Sequence, residues 1–181
     1  MHITHHKRFL DPEAVLRQAG IAPKNIVADF GCAAGYFTFA AARMVGEEGH
    51  VYAFDILPSA VEAVESTIRI DGIDNVTVRQ ADILRGTGLG DGSVDVVIIK
   101  NVLFMVPDRE AFLKEAHRVL HTKGTLVVVE WSTDSPPTIG PSMQHRIPKE
   151  SLRDQITSQK FDVLAIREAG RYHYSIVAKK S

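Results

Sequence analysis

The 181-residue chain holds a single cysteine, Cys32, and a single tryptophan, Trp131. One thiol cannot close an internal disulfide, so the expected setting is a reducing cytoplasm. No apolar run approaches the roughly 20 residues needed to cross a bilayer. Met1, His2, Ile3, Thr4, His5, His6, Lys7 and Arg8 lack the apolar stretch of a secretion signal. Neither sign of charge dominates: 21 Lys and Arg stand against 22 Asp and Glu, spread along the chain. That excludes the electrostatic footprint of a general nucleic-acid binder. No Cys, His or acid group has metal-ligand spacing, and the His5 and His6 pair is too small to count. Repeats, linkers and low-complexity tracts are missing too, so residues 1–181 read as one domain. What remains is an ordinary globular composition, 45% apolar and 24% charged.

Strand-like and helix-like segments alternate along the chain. Residues 11–19 read as a short helix, with Asp11 as N-cap and Pro12 in the first helical position. Strands are expected over 26–30, 50–55 and 76–80. The nearly all-apolar run 94–100 suits a strand buried on both faces of a parallel sheet. A further strand is expected over 125–131. Helices are expected from about 36 to 45, over 58–70 and over 107–120, from apolar residues at helical spacing. Residues 132–148 carry four prolines and read as an irregular, functional or disordered loop. A helix over 149–159 and a hairpin of 161–168 with 172–179 complete the chain. Five βα units and a terminal hairpin imply an α/β, doubly wound Rossmann-like sheet.

The most informative stretch is Val27, Ala28, Asp29, Phe30, Gly31, Cys32, Ala33, Ala34, Gly35 and Tyr36. It reads as a buried strand ending in an acid, then a glycine loop, then a helix. Such a turn aims backbone N–H groups and a helix N-terminus at a ligand above the strand end. The acid decides the ligand: a carboxylate there repels a pyrophosphate and attracts an ammonium. A dinucleotide fingerprint wants glycines where this chain has Gly31, Ala33 and Tyr36, so two of three fail. The pattern acid-x-Gly-x-Gly-x-Gly is matched at Asp29, Gly31 and Gly35 and missed at Ala33. A glycine used only to turn tightly is the plainer alternative.

These residues resemble the first motif of class I S-adenosylmethionine (SAM) methyltransferases. The resemblance implies seven strands in the order 3-2-1-4-5-7-6, with strand 7 antiparallel. Ala33 departs from the family pattern. A methyl group there is tolerable if the residue keeps a negative φ, at the cost of weaker or shifted cofactor binding. The run Asn101 to Asp108 and the run Ala116 to Trp131 look like the second half of methyltransferase type 11, the wider group of the quinone C-methyltransferases. The turn Arg118-Val119-Leu120-His121-Thr122-Lys123-Gly124 lacks that family's proline, which affects rigidity rather than chemistry.

In such sheets ligands sit at the carboxyl ends of the strands, beside the switch point. The resemblance implies a role for each element there. Asp29, with the loop of Gly31, Cys32, Ala33 and Gly35, holds the methionine ammonium, directly or through water. Asp55 accepts from the ribose hydroxyls, and Ile56 packs on the adenine. Asp82 accepts from the adenine amine beside Ile83, and the backbone at Asn101 takes the remaining amine contact. Each acid has a bland alternative: Asp55 starts the next helix, and Asp82 caps the turn that follows.

The implied reaction is in-line displacement at the S-methyl carbon, on a small-molecule acceptor. The protein aligns the acceptor and excludes water. Near the methyl group the candidates are Asn101 and Phe104 after strand four, Trp131 after strand five, and His145 and Arg146 in the irregular loop. Tyr172, His173 and Tyr174 lie on the last hairpin, where alternation sets both tyrosines against the histidine. His145 is the first choice for a base, with a solvated loop histidine as its alternative. Arg146 can bind an anionic substrate group or anchor the loop to Glu130 or Glu150. Trp131 can stack on substrate or pack in the core. The family's Asn-Pro-Pro-Tyr and Asp-Pro-Pro-Tyr runs are missing, which disfavours base amino groups as acceptors. A lone cysteine disfavours arsenite. Cover can come from residues 1–20, from 132–148 or from a second copy, so an open site or a homodimer is expected. Methyl transfer to protein or RNA, and SAM binding without catalysis, are the alternatives.

Overall fold

The computed structural model describes residues 9–181. Seven strands form one sheet in the order β3-β2-β1-β4-β5-β7-β6. They are β1 (Ile26–Phe30), β2 (His50–Asp55), β3 (Val76–Gln80), β4 (Val94–Lys100), β5 (Leu120–Trp131), β6 (Phe161–Ala169) and β7 (His173–Lys180). β1 to β5 run parallel, and β7 runs antiparallel to both β5 and β6. The helices are α1 (Pro12–Gln18), α2 (Tyr36–Val45), α3 (Pro58–Asp71), α4 (Arg109–Val119) and α5 (Lys149–Ser158). No described helix is long and apolar enough to cross a membrane.

The central strands read as unbroken apolar runs because both faces are covered. Val97, Ile99, Leu126 and Val128 join the layer that contains α4 and α5, with Phe112, Leu113, Leu152 and Ile156. Val96, Ile98, Val127 and Val129 join the layer of α1 and α2, with Leu16, Phe37 and Ala41. Fully burying such a side chain stabilises the fold by about 1.5–3 kcal/mol. Asp11 caps α1 through Ala14 N at 3.1 Å, as its position before Pro12 implies.

Two boundaries differ from the sequence reading by more than one residue. α4 begins at Arg109 rather than 107, because the Asp108 side chain accepts from Ala111 N at 2.9 Å and makes residue 108 the cap. β5 begins at Leu120 rather than 125. Leu120 leaves α4 in an extended conformation and pairs at once with Val94, with a register shift before Val96. A single 3₁₀ turn at Ile83–Arg85, not foreseen in the sequence, follows β3.

Candidate active site

The carboxyl ends of β1 to β4 border a crevice of about 400 Å³. Gly31, Ala33, Asp55, Ile56, Asp82, Ile83, Lys100 and Asn101 line it. β1 ends in Asp29 and Phe30 just before the loop, and neither lines the crevice. Phe30 is fully buried and meets Phe54 and Phe112 edge-on at 5.9 Å each. The chain then turns through left-handed conformations at Gly31 (φ +89°), Ala33 (φ +48°) and Gly35 (φ +80°). Gly31 also needs to lack a side chain: a Cβ there lies 2.3 Å from a methyl carbon of Val102. Ala33 does not keep the negative φ that the sequence reading required. It sits in the strained left-handed region, at a cost of about 1–2 kcal/mol, because its N–H must reach the next strand.

That contact decides what the loop can bind. Ala33 N donates to Asp55 Oδ2 at 2.9 Å, and Leu57 N donates to Asp55 Oδ1 at 3.0 Å. Gly31 N and Cys32 N both donate to Phe54 O, and Gly35 N donates to Cys32 O. The loop therefore spends most of its N–H groups internally. It is not the cradle of free donors that the sequence reading assigned to it. A pyrophosphate finds few donors and a facing carboxylate. Asp55 has one backbone donor on each oxygen, and each oxygen keeps lone-pair capacity for a diol.

Asp82 takes the capping role that the sequence offered and stands at the crevice. It caps the 3₁₀ turn through Leu84 N at 3.0 Å and also borders the crevice. Ile83 is buried and Ile56 exposed, so one forms a wall and the other a flexible rim. Asp29 lies beneath the loop and is 1% exposed. Its Oδ2 accepts from the Thr38 hydroxyl at 2.6 Å, and its Oδ1 is buried without a partner. Burial pushes its carboxyl up to about 6, against the pull of Thr38 and the Lys100 ammonium. Cys32 is buried too, and burial pushes its thiol up.

Asn101 ends β4 in a left-handed conformation (φ +55°), which asparagine tolerates better than most residues. Its Nδ2 donates to His173 Nε2 at 3.1 Å across 72 residues of sequence. The imidazole is 2% exposed, and burial pushes it down to about 4, with Lys100 and Arg146 acting in the same direction. It is neutral at neutral pH. Trp131 packs on it with ring centroids 4.2 Å apart, and Phe9 meets Trp131, Tyr172 and His173 at 5.6–6.3 Å. Tyr172 lies in the turn outside β7, while Tyr174 is buried and donates to Ile147 O at 2.8 Å. Phe104 is half-buried against the core and does not line the crevice.

Arg146 does not serve an anion. It is 4% exposed, and its guanidinium donates to the carbonyls of Ser132, Ser135, Ile139 and Pro141 and to Ser135 Oγ, while stacking over Trp131. The anchor is a set of backbone carbonyls, not Glu130 or Glu150, because the loop folds around the guanidinium. His145, the expected base, is exposed in a 3₁₀ turn (Met143–His145). It pairs with Ser142 Oγ at 2.8 Å and lies outside the crevice lining.

Two residues here, Glu130 and Lys100, escaped the list of site candidates. Glu130 is fully buried. Its Oε1 accepts from Leu103 N at 2.7 Å, which pins the turn after β4, and burial pushes its carboxyl up to about 7. The signal was an acid inside an apolar run. Lys100 is the same kind of signal, a base ending an apolar strand. His173 and Asn101 were both candidates, but the hydrogen bond that joins them was not foreseen. Another cavity, of about 440 Å³, lies by Ser132, Lys149 and Arg153. Among its charged residues, Lys149 pairs with Asp134 and Arg153 with Asp154. Among the described residues, four of the five buried side-chain polar atoms without partners lie at the end of β1, β4 and β5 and the start of β7, namely Asp29 Oδ1, Asn101 Oδ1, Glu130 Oε2 and His173 Nδ1; the fifth, His117 Nε2, lies apart on α4. Unmet hydrogen bonds of this kind fit a polar ligand held next to the crevice.

Sheet order, glycine loop and acid-lined crevice together define a Rossmann-like domain with a ligand crevice at the carboxyl ends of its parallel strands. Residues 22–168 match the methyltransferase domain family. The chain belongs to that family. A SAM-dependent methyltransferase from Aquifex aeolicus superposes with a TM-score of 0.90 at 25% identity, over 96% of this chain and 91% of that one. The quinone-biosynthesis C-methyltransferase UbiE of Hydrogenovibrio crunogenus is 34% identical over 124 residues, 67% of this chain and 48% of its own. An arsenite methyltransferase of Halobacterium salinarum is 31% identical over 110 residues, 61% of this chain and 28% of its own. The chain spans about half, or less, of the length of these curated relatives.

Proposed function

We propose that the protein transfers a methyl group from S-adenosylmethionine to a small-molecule acceptor in the cytoplasm. The observation that carries this reading is Asp55. Its carboxylate is held at the crevice by two backbone N–H groups, beside a loop whose own donors are spent. That arrangement suits a cationic, ribose-bearing ligand and disfavours a dinucleotide. The donor supplies an electrophilic methyl group for in-line displacement. Asp55 accepts from the ribose hydroxyls, Asp82 accepts from the adenine amine, and Ile56 and Ile83 enclose the ring. Asp29 attracts the donor ammonium through an intervening water, since its free oxygen is buried. Gly31 and Ala33 set the close approach. Asn101, oriented by neutral His173, aligns the acceptor, and Trp131 and Tyr172 wall it. A single buried thiol, Cys32, does not provide the thiol set that arsenite chemistry draws on.

The test is calorimetric binding of S-adenosylhomocysteine and of NAD to the wild type and to Asp55→Ala. Binding of the first and not the second is expected. Asp55→Ala should lose roughly tenfold or more, since a hydrogen bond to a charged group contributes about 1.5–3 kcal/mol. Unchanged affinity in the variant rules out the ribose assignment. A radiolabelled-methyl screen against metabolite pools and macromolecules then reads the acceptor class, and label confined to protein or RNA overturns the small-molecule reading.

A further inference from the structure

Lys100 is the one cation among the described residues that line the crevice. It closes a strand that is otherwise apolar apart from Asp95. Among the described residues its ammonium makes no hydrogen bond and no ion pair, although it feels Asp29 and Glu130 at longer range. Burial pushes its ammonium down, against the opposing pull of those two acids. A partly desolvated ammonium beside two acids, in ion-pair contact with neither, leaves room for an anion in the gap.

The register locates that gap. Asp29 lies opposite Ile98 in the parallel β1–β4 pair, so Lys100 is two residues further along β4, on the same face of the sheet. Two residues of strand amount to roughly 7 Å. The acid is therefore buried beneath the loop, while the base lines the crevice on the neighbouring strand. An α-amino acid carries its ammonium and carboxylate on a single carbon, and a staggered acid–base couple is complementary to it. Asp55, Asp82 and Ile83 lie toward β2 and β3, which leaves the β1–β4 end for the amino-acid part of the ligand. A carboxylate on Lys100 also screens that ammonium from the sulfonium.

We propose that the Lys100 ammonium binds the carboxylate at the amino-acid end of the methyl donor, while Asp29 serves its ammonium. The proposal rests on the donor reading given above. Two probes separate it from that reading: S-adenosylhomocysteine, and its decarboxylated analogue, which keeps the amine and the adenosine. Binding of each to wild type, Lys100→Met and Lys100→Arg is measured by calorimetry. Wild type should prefer the carboxylated probe by roughly tenfold or more. Lys100→Met should lose that preference, mostly through weaker binding of the carboxylated probe, and Lys100→Arg should keep most of it. Equal loss for both probes in Lys100→Met overturns the proposal, because a merely structural lysine does that. Unchanged binding of the carboxylated probe in Lys100→Met also overturns it. Wild type that binds neither probe overturns the donor reading itself.

Discussion

Replacing Glu130 with glutamine tests the electrostatics beneath the crevice. The carboxyl sits on β5, fully buried, with Leu103 N on one oxygen and nothing on the other. Burial moves it from 4.5 up to about 7. Between those values the folded protein binds more protons at this group than the unfolded chain does. Stability contributed here is complete below about pH 4.5 and falls as pH rises toward 7, by up to about 1.4 kcal/mol per pH unit. Over the whole interval the loss is on the order of 3 kcal/mol. Glutamine keeps an acceptor for Leu103 N and cannot ionise. It leaves a buried amide donor unmet, which costs about 1–3 kcal/mol at every pH. The stability of the variant relative to wild type should therefore improve by on the order of 2–3 kcal/mol from pH 5 to pH 8. Urea unfolding followed by circular dichroism at pH 5, 6, 7 and 8 reads this directly. With a slope of about 1–3 kcal/mol per molar urea, the relative midpoint moves by on the order of 1 M. A difference between the two proteins that does not change with pH refutes the buried, easily protonated carboxyl.

Gly31→Ala places a Cβ 2.3 Å from a Val102 methyl carbon at φ +89°, and should cost about 2–4 kcal/mol together with binding of S-adenosylhomocysteine. A thermal melt within a degree of wild type contradicts that close approach. Arg146→Met strips donors from buried carbonyls around residues 132–141 and should destabilise by about 3 kcal/mol or more. Limited proteolysis should then cut this loop first, and an intact loop removes the clamp from the account. His145→Ala should leave methyl turnover within about twofold of wild type once an acceptor is in hand, because the ring is exposed and outside the crevice lining. Lost turnover with intact donor binding returns the histidine to the chemistry.

Much of the fold was legible because its signals are local. Alternation, apolar runs, Asp11 before Pro12 and the glycines near Asp29 each report on a few neighbouring residues, and β1, β2, β3 and β4 fall within the expected bounds. The start of β5 was misread because Leu120 enters the sheet by pairing with Val94, a partner 26 residues away. The φ of Ala33 was misread for the same reason. Its strain is set by Asp55, which belongs to the neighbouring strand.

By itself the amino-acid order determined the alternation of strands and helices, the acid-and-glycine turn at 29–35, and hence the class of ligand. Only the tertiary structure decided which side chains share a wall. It buried Arg146 inside its own loop, set His145 outside the crevice lining, joined Asn101 to His173, and left the Lys100 ammonium at the crevice without a partner among the described residues. The physical reason is range. Backbone conformation follows from nearest neighbours, whereas desolvation and unmet hydrogen bonds depend on residues brought together by the sheet.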